Sequence, residues 1–536
     1  MAILALVVAV GLAIVVCRSL ADRFDLAPPA LLLVAGVLLG FEPDLRDVHL
    51  PPEAVLLLFL PILLYWESFN SSLREIRGNL RVITLLSTIL VAATAAAVAV
   101  AAHALGLPWG PAWVLGAAVA PTDATAVGVL GRTLPRRIAT TLRAESLVND
   151  GTALVIYALA VGITIGEDHF SVVRAGGMFL LAYGGGVAVG LGVSWLSVWV
   201  RRRMQDPFQH NVLAIITPLT AYLVAEAVHA SGVLAVVVSG LWVSQMSPRL
   251  FPAPARQYVQ TVMHFVTSLA NAALFVLVGL EVQSAVRGLD TVGLTRGLIA
   301  VAAVSLAVIG VRFAWLFTSP YLIRLLDRRP RQRSLRLGAR PRAVMAAAGF
   351  RGAVSLAAAL SVPRTLHSGA GFPDRDLIVF VTAGVIAVTL LVQAPLLPPV
   401  VRWARLRGDA ATARELRHAE ITATEQALEA LSAMADDLGA GEDVVEQLRA
   451  EYDRRLRVLR TEEDTADDAE ERDGTRYWEE QYAALRLAAV SHKHETIVRL
   501  RDEGTIDDTV LRQIQTNLDL EEVQITRHRF ADPDQE

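Results

Sequence analysis

The sequence predicts an all-α polytopic membrane protein with a separate helical tail, and three observations carry that prediction. Its residues are 54% hydrophobic and only 19% charged, where soluble domains carry about 25% charge. The apolar residues gather in long runs, such as Val82–Ala102 and Leu294–Ser319, that match the ~30 Å hydrocarbon thickness of a bilayer. Arginine, finally, is sorted into alternate loops between those runs, as cytoplasmic loops require.

Taken in order, thirteen spans are expected, at roughly 2–20, 28–41, 51–67, 80–104, 110–131, 140–165, 174–200, 210–229, 231–247, 258–283, 292–323, 341–363 and 375–402. Met1–Val16 has no positive residue before its apolar run and no convincing cleavage site after it, so it reads as a retained first span rather than a signal peptide. With the N-terminus outside, the cytoplasmic loops carry Arg18 and Arg23; Arg74, Arg77 and Arg81; Arg132, Arg136 and Arg137; Arg201–Arg203; and Arg249 and Arg256. The loop after the eleventh span is the most basic, from Arg324 to Arg342. The opposite loops are short or acidic, with Glu42, Asp44 and Asp47, then Glu167 and Asp168, then Glu281 and Asp290. The alternation places the C-terminus in the cytoplasm. The net charge of −4 is distributed by loop and points to no nucleic-acid partner, and the single cysteine, Cys17, excludes an intrachain disulfide.

The membrane part is expected to end near residue 405, leaving 406–536 as a cytosolic helical domain. That tail is rich in Glu, Asp and Arg, with apolar residues at helical spacing in Leu448, Tyr452, Leu456 and Leu459. Thr505 with Asp508 has the form of a helix start running through Arg527, and Asp464–Asp473 reads as a solvated linker. Assembly or stability is the plain role for such a domain; regulation is the sharper one.

Ionisable residues inside spans cost roughly 2.5–3.5 kcal/mol each on insertion scales, so each requires a reason. The central ones are Glu67, Asp123, Glu145, Asp150, Arg312 and Arg351, whereas Glu226 and His229 lie near an outer end and are expected to be wet. The fifth span is broken by Pro121-Thr122-Asp123. Proline removes a backbone donor and disfavours helix just before itself, and membranes tolerate unwound backbone only where it lines a cavity or binds something. The alternative is an ordinary proline kink with one polar residue facing water.

The sixth span reads Glu145-Ser146-Leu147-Val148-Asn149-Asp150. Ser146 and Asp150 are four apart and share one helix face; Glu145 and Asn149 share the neighbouring face, about 100° away. A hard cation such as sodium prefers oxygen ligands, which Asp150 and Asp123, with Ser146 and Thr122, would supply. Arg312, deep in the eleventh span, cannot discard its charge, and Glu145 is its expected partner. The twelfth span is interrupted at Gly349-Phe350-Arg351-Gly352 as the fifth is at Pro121. Two interrupted spans in matching places of two halves suggest an inverted repeat.

These residues resemble the monovalent cation:proton antiporter family of the sodium/hydrogen exchanger type, in its bacterial Na+/H+ antiporter branch. The resemblance runs through Pro121-Thr122-Asp123, Glu145–Asp150, Ser231–Val237, Phe350–Leu356 and Thr389–Gln393, in the family's order. It implies crossed, interrupted helices and a homodimer in which a six-helix core moves against a dimerisation domain in the cell (inner) membrane. It further implies that Asp150 binds the transported Na+ or H+, helped by Asp123, Thr122 and Ser146, with Glu67 reaching the ion through water. Glu145 and Arg312 would form a buried pair, and Asn149 and Arg351 would support the site. Electrogenic relatives carry aspartate where this chain has Asn149, so electroneutral exchange is implied. No cofactor is expected beyond the transported ions. Li+ or K+ are alternatives to Na+, and a cation channel or an intramembrane aspartyl protease are the rivals from other classes; the protease's Gly-x-Gly-Asp context is absent.

Overall fold

The computed structural model describes residues 2–24, 28–42, 59–123, 134–166, 172–204, 206–250, 253–287, 291–326, 338–366, 368–406, 410–464 and 469–503, with scattered positions from 511 to 522. The chain forms two compact units, Met1–Gly408 and Asp409–Glu536. Among the described residues there is no β-strand, only an isolated bridge between Thr365 and Gly371.

The first unit begins with α1 (Ala2–Phe24), α2 (Pro28–Leu39) and α3 (Leu60–Phe69). Next come α4 (Leu73–Ala104), α5 (Trp109–Val119), α6 (Arg136–Ile165) and α7 (Val172–Arg201). After these follow α8 (Pro207–Ala227), α9 (Gly232–Leu250), α10 (Ala253–Arg287) and α11 (Thr291–Leu326). Two short helices, α12 (Ala339–Ala347) and α13 (Ala353–Leu360), precede α14 (Arg375–Ala404). Local chemistry sets several ends. Ser72 caps α4 by accepting from the Glu75 N–H, and Asp206 caps α8 ahead of Pro207. Gly166 ends α6 at φ +89°, a conformation that favours glycine.

Eight helices among the described residues are long and apolar enough to cross a membrane, and α2, α5 and most of α9 are shorter apolar helices. Multi-pass architecture follows directly. The expected thirteen, counted from the apolar runs, is not established by these helices, which give eight long spans and three shorter ones among the described residues. The largest boundary difference is at α4, which starts at Leu73 rather than near 80 because the capped, arginine-bearing first turns continue into the apolar run. The first part of the third span, the far end of the fifth (124–131), and the loop residues Asp44, Asp47, Arg132, Glu167, Asp168, Asp290 and Arg328–Arg336 lie outside the described residues.

Packing divides this unit into two groups. Helices α4–α6 and α11–α14 pack chiefly on one another, and α1–α3 pack with α7–α10. In the second group α2 and α10 touch backbone to backbone: a Cβ at Gly36 would strike the Val276 carbonyl, and one at Gly279 the Leu33 carbonyl. Small residues permit this approach, and close van der Waals contact is what holds helices together in lipid.

The second unit contains α15 (Ala410–Leu438), α16 (Glu442–Asp464) and α17 (Ala469–Asp502). Helices α15 and α16 form a hairpin about Gly439, at φ +64°, around Ile421, Leu456 and Leu459. The expected linker at 464–473 is helical from Ala469 onward, because Ala, Glu and Arg are strong helix formers even without apolar spacing. Most of the helix expected from Thr505 lies outside the described residues.

Candidate functional site

Both interrupted spans are broken, and the breaks touch. Helix α5 ends at Val119, the chain turns at Pro121, and the Asp123 N–H donates to the Phe350 carbonyl at 2.9 Å. Phe350 lies in the gap between α12 and α13. Carbonyls at the ends of α5 and α12 have lost their helical donors and, at membrane depth, must be satisfied by the protein. Arg351 does this for several at once. It donates from Nε to Val119 O at 3.0 Å, from Nη1 to Gly349 O at 2.6 Å and from Nη2 to Ala120 O at 3.4 Å. Gln393 donates to Ala347 O at 2.7 Å, and the Arg351 N–H donates to the Thr389 hydroxyl at 3.3 Å. Thr389–Gln393 is a π-helical turn within α14, a widening that brings both side chains to the gap. The guanidinium also places positive charge between two helix C-termini, where it is favoured.

Helix α6 presents two faces to this crossing. Ser146 and Asp150 line a cavity of about 40 Å³ with Glu67, Thr122, Asp123, Asn271 and Ser355, room for roughly three water-sized occupants. Leu60, Leu63 and Leu64 form its apolar wall. Asp150, Ser146 and Thr122 are buried, while Asp123 and Glu67 are half-buried.

The other face holds the crossing in place. Asn149 donates to the Thr122 hydroxyl at 2.7 Å and to the Thr122 carbonyl at 3.3 Å, and the Thr122 hydroxyl donates to Glu145 at 3.3 Å. Glu145 accepts two hydrogen bonds from Arg312, at 2.5 and 3.2 Å, with both residues buried. Arg312 Nε donates to Met345 O at 3.1 Å, so the same side chain ties α6, α11 and α12. Thus all nine residues singled out in the sequence lie at or beside one crossing: five line the cavity, and Asn149, Glu145, Arg312 and Arg351 support it.

Sequence reading missed Asn271 and Ser355 as cavity residues, and gave no role to Gln393. The available signal was the same for each: a polar side chain inside an apolar run. It also missed the demand at Gly352, where an added Cβ would collide with the Asp123 carboxylate. Gly352→Ala is therefore expected to push Asp123 out of place, at about 1–3 kcal/mol. An unchanged thermal melt of that variant would show that the glycine is not required there.

With the geometry in place, similarity to known proteins decides the class. The family described as "Sodium/hydrogen exchanger, transmembrane" matches residues 9–403. This chain belongs to that family. A relative from Mycobacterium tuberculosis, described as an uncharacterized Na(+)/H(+) exchanger, is 43% identical over 97% of this chain and 96% of its own length. A "Sodium, potassium, lithium and rubidium/H(+) antiporter" of Bacillus pumilus is 30% identical over 73% of this chain and 60% of its own. Among solved structures, the sodium proton antiporter MjNhaP1 of Methanocaldococcus jannaschii at pH 8 superposes with a TM-score of 0.55 at 19% identity. That match covers 75% of this chain and 99% of the other and shows that the two share a fold.

Proposed function

We propose that this sodium/hydrogen exchanger family member exchanges Na+ for H+ one for one, at Asp150, by alternating access. The observation that carries the reading is the pairing of Asp150 and Asp123 on one small cavity beside the two broken helices. A bare carboxylate buried in such a place is costly. A proton relieves that cost, and so does a cation held by Asp150, Asp123, Ser146 and Thr122, but the two compete for the same oxygens. The site therefore reorients when loaded with one or the other and resists reorienting empty. Glu67, half-buried and lining the same cavity, bridges to the ion through water.

Asn149 supports electroneutrality. It is neutral, it holds the Thr122 turn with its amide, and it adds no second titrating carboxylate beside Asp150. The helix groups α4–α6 with α11–α14 and α1–α3 with α7–α10 supply the moving and static parts. On this reading the chain is a homodimer of the cell membrane, with its N-terminus outside and its C-terminal unit in the cytoplasm. It acts as a transporter rather than an enzyme and needs no cofactor beyond the ions carried. The printed substrates of the Bacillus pumilus relative make Li+ and K+ the alternatives to Na+.

Proteoliposomes with a preset pH gradient test this. Added Na+ is expected to dissipate the gradient, and an imposed membrane potential is expected to leave the rate unchanged. A rate that follows the potential would defeat one-for-one exchange. Indifference to Na+, Li+ and K+ alike would defeat the exchange assignment, and single-channel currents would favour a channel.

A further inference from the structure

The polar residues on the cavity wall come from different helix groups. Asp123, Ser146, Asp150 and Ser355 belong to α4–α6 and α11–α14, or to the breaks between them, and would move with the ion. Asn271 belongs to α10, which is fixed to α2 by the Gly36–Gly279 contact. It is half-buried between Ala270 and Ala272, both buried. Among the described residues its amide has no hydrogen-bond partner. An amide serving as interhelical glue would bond a neighbouring helix. One facing a cavity at membrane depth with no protein partner is satisfied by what the cavity holds.

We propose that Asn271 is a specificity-determining ligand for the transported cation in only one of the two access states. Its carbonyl oxygen is a hard, neutral ligand, which adds coordination without adding charge, so it leaves the one-for-one balance intact. Ser146 lies one turn from Asp150 toward the α6 N-terminus. Asn271 and the α6 pair Ser146 and Asp150 line the same cavity in this access state. When the first helix group carries the ion to the opposite side, Asn271 stays behind with α10. The proposal rests on the exchange reading above.

The consequence is an asymmetry. The full-length chain, in membrane vesicles of the two opposite polarities, is assayed for Na+-driven pH change. Asn271→Leu, of similar volume, is expected to raise the KM for Na+ about fivefold on one membrane side only. The KM on the other side is expected to stay unchanged, with the melting temperature kept. Asn271→Ala provides the same readout should leucine disturb folding. An equal rise on both sides, or no rise on either, would overturn the proposal. Wild-type vesicles that show no Na+-driven pH change would overturn the exchange reading itself and the proposal with it. Wild-type exchange with a symmetric variant effect would overturn the proposal alone.

Discussion

Asp150→Ala is expected to reduce sodium-driven proton movement to background while the purified protein keeps a melting temperature close to wild type. The two halves of that result have separate causes. Exchange needs one group that takes either a proton or a cation, and removing the carboxylate leaves nothing for the two ions to compete for. Folding does not need it: among the described residues Asp150 makes no hydrogen bond or ion pair, and it faces the cavity rather than a neighbouring helix. A buried carboxylate without a protein partner is a burden on the folded state, not a support. Alanine there leaves a slightly larger cavity and an intact α6. The check is fluorescence of a trapped pH dye in proteoliposomes after a Na+ pulse, with a thermal melt of the same preparation. A surviving pH change would move the ion site elsewhere, with Asp123 next in line. A lost response accompanied by a collapsed melt would instead make Asp150 structural.

Much of this arrangement is legible in the sequence. Asp150 and Ser146 reveal their shared face by spacing alone, because four residues is close to one helical turn. Arg312 announces a partner because a guanidinium in an apolar span has nowhere to put its charge. Pro121 and the Gly349–Gly352 run mark breaks because each removes helical propensity or a donor from mid-span. What spacing does not carry is which elements meet. Nothing local says that the Asp123 N–H reaches Phe350, or that Arg351 spans to Val119 and Ala120, more than two hundred residues away in the chain. Asn271 escaped for a related reason. A lone amide in α10 has the same appearance in sequence whether it faces lipid-side packing or a cavity, and only the cavity wall it shares with Ser146 and Asp150 distinguishes them. In the tail, Ala469–Asp473 reads as linker by its charge, although Ala, Glu and Arg there favour helix.

Arg312→Ala, unlike Asp150→Ala, should lower the melting temperature, by roughly 5–10 °C. The side chain does three things at once. It neutralises buried Glu145 through two hydrogen bonds, it satisfies the Met345 carbonyl near the end of α12, and its stem occupies space that exists only because residue 349 is glycine. Alanine leaves Glu145 charged and buried with only the Thr122 hydroxyl, and removing one member of such a pair typically costs about 3–5 kcal/mol. The cost falls at the crossing, since Thr122 and Met345 flank the two breaks, so exchange is expected to weaken as the protein loosens. The double variant Glu145→Gln with Arg312→Met separates charge from shape. It removes both charges while keeping similar volumes, and it is expected to recover more than half of the lost melting temperature, because a buried pair contributes little net stability once neither member is left alone. An unchanged melt for Arg312→Ala would mean that Glu145 is solvated or protonated without its partner. A double variant no better than the single would place the value of Arg312 in its bond to Met345 and its packing on Gly349, not in the ion pair.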